Sequence, residues 1–477
     1  MIEEATIGQL RARMAGGALS AVELTRFYLD RIAALNADGP ELRAVIETNP
    51  DAEAIAAALD AGPTRGSLHG IPVLVKDNID TADRMHTSGG SFALVGSRPA
   101  RDADVVARLR AEGAVVLGKA NLTTWITGSS GWSPRGGQCR NPYRLDRSPL
   151  GSSAGSAVGV AANLCAGALG VETVGSILGP ASANCVVGLK PTVGLTSRNG
   201  LIPGVRSMDS IGPLTRTVAD AALLLGVLAE RDYSSSLDED GLRGARIGVP
   251  REGYFGYSDH ADAVAESALK VLASAGAVIV DDVRLPTPDA LAEHGAALAT
   301  VQFREAKHWK NAYLAETPGD HPRSLDELIA YNRDHADVEL RWFGQESLQM
   351  VNGFSSDVSD VEYRDAVALL HRLVRAEGID AALSAGALDA LVMPTMAPPW
   401  KIDLVNGDPP VTGSALVPGL AGYPAVSVPA GFTHGLPVGI TFAGGAGSEG
   451  TLIRLAHAFE QASAVRRAPE FLAPEVI

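Results

Sequence analysis

Cysteine is nearly missing from this 477-residue chain, which has only Cys139, Cys165 and Cys185. Their odd number, with no CxxC pair and no Cys/His run at zinc-ligand spacing, excludes a disulfide framework and a zinc module. Lysine is almost as scarce: of 40 basic residues only Lys76, Lys119, Lys190, Lys270, Lys307, Lys310 and Lys401 are Lys. Against 55 Asp and Glu the formal charge is −15, so nucleic acid and anionic membrane surfaces are excluded as natural partners. Long apolar runs are also missing. The longest weakly polar stretch, residues 157–171, carries Asn163 and falls short of the roughly 18 apolar residues of a membrane span. The N-terminal Met1-Ile-Glu-Glu lacks the basic and apolar regions of a secretory signal. The expectation is a soluble, cytoplasmic protein with no metal and no cofactor.

What remains is 46% hydrophobic and 20% charged, a composition that builds a core and argues against disorder. Length alone suggests roughly three domains at about 150 residues each. No internal repeat or low-complexity linker divides the chain, which favours one continuous domain over residues 1–477. Residues 7–36 read as two helices, the second capped by Ser20 with Glu23 three positions on, giving an N-terminal helical layer over 1–60. Then α/β alternation begins: an apolar strand ending at Val75, a helix near 102–112 and a strand at 114–117. Residues 244–285 read as a βαβ unit, and strands return at 390–393, 425–428 and 438–442 before a helix at 449–463. Residues 385–477 thus complete the sheet. Between these units, residues 295–376 read as a helical insertion or lid, with Trp309, Tyr313, Tyr331, Trp342, Phe343, Phe354 and Tyr363 among many charges.

Two segments draw attention as chemistry. Ser148-Pro-Leu-Gly-Ser152-Ser153-Ala-Gly-Ser156, followed by Glu172-Thr-Val-Gly-Ser176-Ile177, gathers hydroxyls and small residues where backbone N–H groups can approach an oxyanion. A solvated Gly/Ser loop is the plain alternative, but the stretch leads directly into apolar segments at 157–162 and 186–189. Lys76 ends the run Gly70-Ile-Pro-Val-Leu-Val75, where partial desolvation lowers an amine's pKa toward that of a base. A lysine snorkelling from a strand end is the alternative. Because arginine serves as the default cation in this chain and cannot deprotonate, a lysine here favours the first reading.

Together these segments resemble the amidase signature family of serine hydrolases. Gly70 to Asp77, the Gly/Ser stretch 151–156, Gly175-Ser176-Ile177 and Val187-Gly-Leu-Lys-Pro-Thr192 stand in that family's order, with Ser152 and Ser176 at its separation. Met393-Pro-Thr395 and Gly422-Tyr-Pro-Ala-Val-Ser-Val-Pro429 add weaker support, and the signature core covers about 65–230. Gly131-Trp-Ser-Pro-Arg-Gly-Gly-Gln138, Arg140-Asn-Pro-Tyr143 and Leu189-Lys-Pro-Thr-Val-Gly-Leu195 look closest to bacterial peptide amidases. The resemblance implies an α/β fold, a single large domain with a central mixed β-sheet covered by helices on both faces. It implies Ser176 as nucleophile, Ser152 as bridging serine and Lys76 as base, with a cis Gly151–Ser152 peptide. It further implies an oxyanion hole of the backbone N–H groups of Thr173, Val174, Gly175 and Ser176, with Gly151, Ser153 and Asp77 in support.

The chain departs from that pattern at Val174, where the family has Gly and peptide amidases commonly Asp, and at Leu178, where the family has Arg. Val174 keeps its N–H for the hole provided its φ is negative. Val174, Leu178 and Trp132 become candidate pocket residues, and an apolar pocket suggests bulky or hydrophobic acyl or aryl amides, extending to carbamates (urethanes). Two other readings compete. Gly151-Ser-Ser153-Ala-Gly155 fits the G-x-S-x-G elbow of α/β-hydrolases, with Ser153 as nucleophile and His434 or His457 as partner, but Asn141 to Pro149 is no strand. A non-catalytic or partner-dependent amidase-like subunit of the amidotransferase type is the other, weakened by filled triad positions and by the absence of a basic patch for tRNA. The expected partner is a small amide or carbamate, bound by a monomer or homodimer.

Overall fold

The computed structural model describes residues 2–281, 283–410 and 413–474. One mixed sheet of eleven strands runs through it, so the three-domain estimate from length gives way to a single α/β domain. In chain order the strands are β1 (Val45–Thr48), β2 (Pro72–Lys76), β3 (Val115–Ala120), β4 (Gly167–Glu172), β5 (Val187–Lys190) and β6 (Ser210–Thr215). They continue with β7 (Arg246–Val249), β8 (Val278–Asp281), β9 (Ala390–Pro394), β10 (Ala425–Thr433) and β11 (Leu436–Ala443). Their order across the sheet is β1-β3-β2-β4-β6-β5-β10-β11-β9-β7-β8.

β3, β2 and β4 are parallel neighbours, with Val75 beside Leu169 and Lys76 beside Ala120. Every residue of β2 and β4 is buried, as expected of parallel strands covered on both faces. Lys76 and Glu172 therefore emerge at the same sheet edge, the carboxyl ends of parallel strands, where α/β sheets place their ligands. The helices Ile7–Ala15, Ala21–Ile32 and Ala154–Ala161 pack one core cluster with β2, β3 and β4. A second cluster joins Val218–Ala229, Asp259–Ser274 and Glu449–Ser463 to the strands on the far side of β5.

Local sequence explains much of this. Ser20 and Glu23 form the reciprocal capping box. The expected βαβ unit forms, with β7 and β8 parallel and adjacent. Among the described residues, 295–376 contain helices and no strand, beginning with Gly295–Glu316. Residues 1–60 differ from the expected helical layer, because β1 pairs antiparallel with β3 at the sheet edge. Its four residues, running from buried Val45 to exposed Thr48, give too short an alternation to read as a strand. Among the described residues no helix is long and apolar enough to cross a membrane.

Candidate active site

Lys76 closes β2 completely buried, with its Nζ 2.7 Å from Ser152 Oγ, 2.9 Å from Ser153 Oγ and 3.2 Å from the carbonyl oxygen of Val171. The two serines lie just ahead of the helix Ala154–Ala161, in a turn whose Gly151–Ser152 peptide is cis. Gly151 suits this spot because a Cβ there would stand 2.3 Å from Thr123 Oγ1. Burial pushes the Lys76 amine well below its ordinary value, and the more distant charges of Asp209 and Glu172 only partly oppose this.

Directly after β4 the chain turns through Thr173, Val174, Gly175 and Ser176. Gly175 has φ +85°, in the region that favours glycine, whereas Val174 stays out of it. Among the described residues no oxygen takes a hydrogen bond from the N–H groups of Thr173, Val174 or Ser176. Buried Glu172 instead accepts from the N–H groups of Ile177 (2.6 Å) and Leu178 (2.9 Å), and the Gly175 N–H also favours its charge. Thr173 Oγ1 donates to Asp209 at 2.5 Å. Ser176 is half-buried, and its hydroxyl makes no hydrogen bond to a described residue. The direct link from Ser176 to Ser152 that the resemblance implies is therefore not closed.

A cavity of about 400 Å³ opens over this turn, lined by Gly151 and by Thr173 to Ser176. Val174 is on its wall. Leu178 is not: it is fully buried in a core cluster with Leu391 and Met393, because Glu172 pulls the start of its helix inward. Trp132 belongs to an adjoining lobe of about 260 Å³, its ring 5.7 Å from that of Phe343. The tryptophan on the main cavity is Trp125, which sequence reasoning missed. The helical insertion supplies Gln302, Phe303, Ala306, Lys310, Leu348 and Val351 to the lining. The aromatic residues named from the sequence do not line the main cavity, and Phe303 takes that place.

The supporting residues divide. Asp77 faces away from Lys76: its carboxylate accepts from Ser88 Oγ and from the Gly90 N–H at 3.0 Å, with Arg135 at 3.9 Å. It anchors the loop whose Gly89 carbonyl holds the Trp125 N–H at 3.0 Å. Ser153 is fully buried and tied to both the N–H and the carbonyl of Val171. That position does not suit an exposed elbow nucleophile, and no strand precedes it. His434 packs edge-on against His260, and His457 lies 3.9 Å from Glu460, so neither serves Ser153.

The site thus sets a buried amine on two serine hydroxyls beside a turn of unpaired N–H groups under a cavity. The Amidase family model matches residues 23–453, and the chain belongs to that family. The peptide amidase of Stenotrophomonas maltophilia superposes with a TM-score of 0.92 at 47% identity, covering 98% of this chain and 99% of that one. A probable amidase of Arabidopsis thaliana is 40% identical over 99% of this chain and 92% of its own length. A glutamyl-tRNA(Gln) amidotransferase subunit from Halorhodospira halophila is 37% identical over 96% and 97% respectively.

Proposed function

We propose that this chain hydrolyses carboxylic amide bonds through an acyl-enzyme on Ser176, with Ser152 passing the proton to Lys76. The hydrogen bonds around Lys76 Nζ carry the proposal. A neutral amine has two N–H donors and one lone pair. The Val171 carbonyl can only accept, so it takes one N–H. Ser153 Oγ spends its own proton on the Val171 carbonyl and therefore accepts the second. The lone pair is left for Ser152, whose hydroxyl must donate to it at 2.7 Å. That is the polarity a relay needs: Ser176 Oγ attacks the carbonyl, its proton passes to Ser152 Oγ, and the Ser152 proton passes to Lys76. On collapse the proton returns through Ser152 to the departing amine, and water then releases the acid from Ser176. The unpaired N–H groups of Thr173, Val174 and Ser176 face the developing oxyanion, whereas the Gly175 N–H, which the resemblance also counts in the hole, is turned to Glu172.

The apolar cavity around Val174, Phe303 and Leu348 supports bulky or hydrophobic acyl and aryl amides, and aryl carbamates by the same chemistry. The contribution expected of Leu178 is withdrawn. We place the enzyme in the cytoplasm, as a monomer or homodimer without a nucleic-acid partner. A panel of peptide amides, anilides and carbamates, with Ser176→Ala as control, tests the proposal. Turnover and fluorophosphonate labelling should both vanish in the variant, and strict preference for small aliphatic amides would sink the apolar-pocket inference. The similarity to amidotransferase subunits favours a second reading, glutaminase action within a complex; glutamine hydrolysis without anilide hydrolysis would support it.

A further inference from the structure

Lys310 is the one charged side chain among the described residues that line the main cavity, and it is only 3% exposed. It is on the helix Gly295–Glu316, on the face that also presents Gln302, Phe303 and Ala306; from residue 302 to 310 that wall runs about 12 Å. Its Nζ gives a single hydrogen bond, to the Pro203 carbonyl at 2.7 Å, although an ammonium has three donors. The acid whose charge reaches it is Asp209, and both Asp209 oxygens are already used, one by Thr173 Oγ1 and the other by the Gly204 N–H. No carboxylate lines the cavity among the described residues. A buried ammonium with spare donors and no carboxylate hydrogen-bonded to it favours an anion over a neutral acceptor, since charge-assisted bonds are the stronger ones.

We propose that Lys310 receives a carboxylate carried by the substrate away from the scissile bond, so that the preferred substrates are amides with an apolar body and an acidic end. This rests on the amide-hydrolase reading of Ser176. Burial lowers the Lys310 amine to about 8, against the pull of Asp209, so the ammonium form still prevails at neutral pH.

The test uses anilides of α,ω-dicarboxylic acids of increasing length, each paired with the alkanoyl anilide and the terminal methyl ketone of equal length. At one length the carboxylated anilide should be favoured in kcat/KM by about 10- to 100-fold over both partners, mainly through KM. Lys310→Met should collapse that ratio toward one. Should the variant fail to fold, the wild-type ratio should fall as pH rises through about 8 and Lys310 loses its proton. Calorimetric binding of the same anilides to Ser176→Ala gives the preference without turnover. Absence of hydrolysis with the binding preference intact would refute the amide-hydrolase reading alone. Equal affinity for carboxylate and methyl ketone, or a ratio unmoved by Lys310→Met, would overturn the assignment to Lys310.

Discussion

Replacing Ser152 and Ser153 one at a time separates proton relay from support, because adjacent hydroxyls on the same amine have opposite environments. Ser153→Ala removes the acceptor of the Val171 N–H (3.2 Å) and of Lys76 Nζ (2.9 Å) in a fully buried place. Two buried donors then lack partners, at about 1–3 kcal/mol each, so a loss of roughly 2–6 kcal/mol in folding stability is expected. The Lys76 lone pair still faces Ser152, and kcat should fall by less than about 10-fold, well short of the loss when a general base or its link is removed. Ser152→Ala deletes one hydrogen bond, for about 0.5–1.5 kcal/mol, but removes the proposed relay between Ser176 and Lys76. Its kcat should fall about 10²- to 10⁴-fold. Urea denaturation gives the stabilities and p-nitroanilide hydrolysis gives the rates. The reverse pattern, with Ser153→Ala inactive but stable and Ser152→Ala active, would refute the hydrogen-bond assignment around Lys76 and revive Ser153 as nucleophile.

Gly175→Ala forces an L residue to φ +85° with its Cβ 3.3 Å from that of Ala415. A stability loss of about 1–2 kcal/mol is expected from the left-handed conformation, and tilting the next peptide should lower kcat by about 10²- to 10³-fold, as loss of one oxyanion donor does; thermal melts and initial rates read both. For pH, burial holds the Lys76 pKa below that of a free amine, so the neutral base accumulates at lower pH than in solvent. The wild-type rate should rise with pH as Lys76 deprotonates and then level off, and Lys76→Ala should lose the rise. No histidine lines the cavity among the described residues, so a histidine inflection that survived in Lys76→Ala would count against this base. Leu178→Ala should cost about 2–5 kcal/mol as a core cavity and leave the ranking of substrates alone, whereas Val174→Ala should shift KM for bulky anilides; denaturation and a substrate panel separate the two.

Local signals account for the parts of the site that were legible in the sequence. The run into Lys76 is apolar at every position because β2 is a covered parallel strand, and the Gly/Ser density at 151–156 reflects close approach, a Cβ on Gly155 falling 2.1 Å from the Ala44 carbonyl oxygen. The parts that were not legible depend on distant contacts. The short helix Leu178–Ala183 is buried on all sides, so no polar face reveals which way Leu178 points; Glu172 decides it by holding the first N–H groups. Trp125 and Trp132 are seven residues apart with similar surroundings in sequence. Trp125 reaches the cavity because the Asp77-anchored loop fixes its N–H, with its own φ at +54°. Lys310 reads as one more charge on a surface helix until the chain at Pro203 arrives to cover it.

The scarcity of lysine takes on meaning once burial is known. Lys76, Lys119, Lys190 and Lys310 are all buried, and each donates to a backbone carbonyl: Val171, Ile79, Tyr423 and Pro203 in turn. Arginine can do such work, since Arg216 is equally buried and binds the carbonyls of Ala5, Val160 and Cys165. The difference is in protonation. Burial lowers all four lysines, whereas Arg216 is raised by Tyr28 and Asp220 despite burial and keeps its charge. Lys119 faces Asp77 and Asp80, and Lys190 faces Glu172 and Glu449, so nearby acids sustain their charge. Lys76 feels Asp209 and Glu172 too, but burial outweighs them and lowers it well below its ordinary value; its Nζ contacts two serine hydroxyls and a carbonyl, and one of those hydroxyls follows Gly151 on the cavity wall. Among the four, Lys76 alone has two serine hydroxyls on its Nζ, and burial lowers its amine well below the ordinary value, which fits it for the base role proposed above.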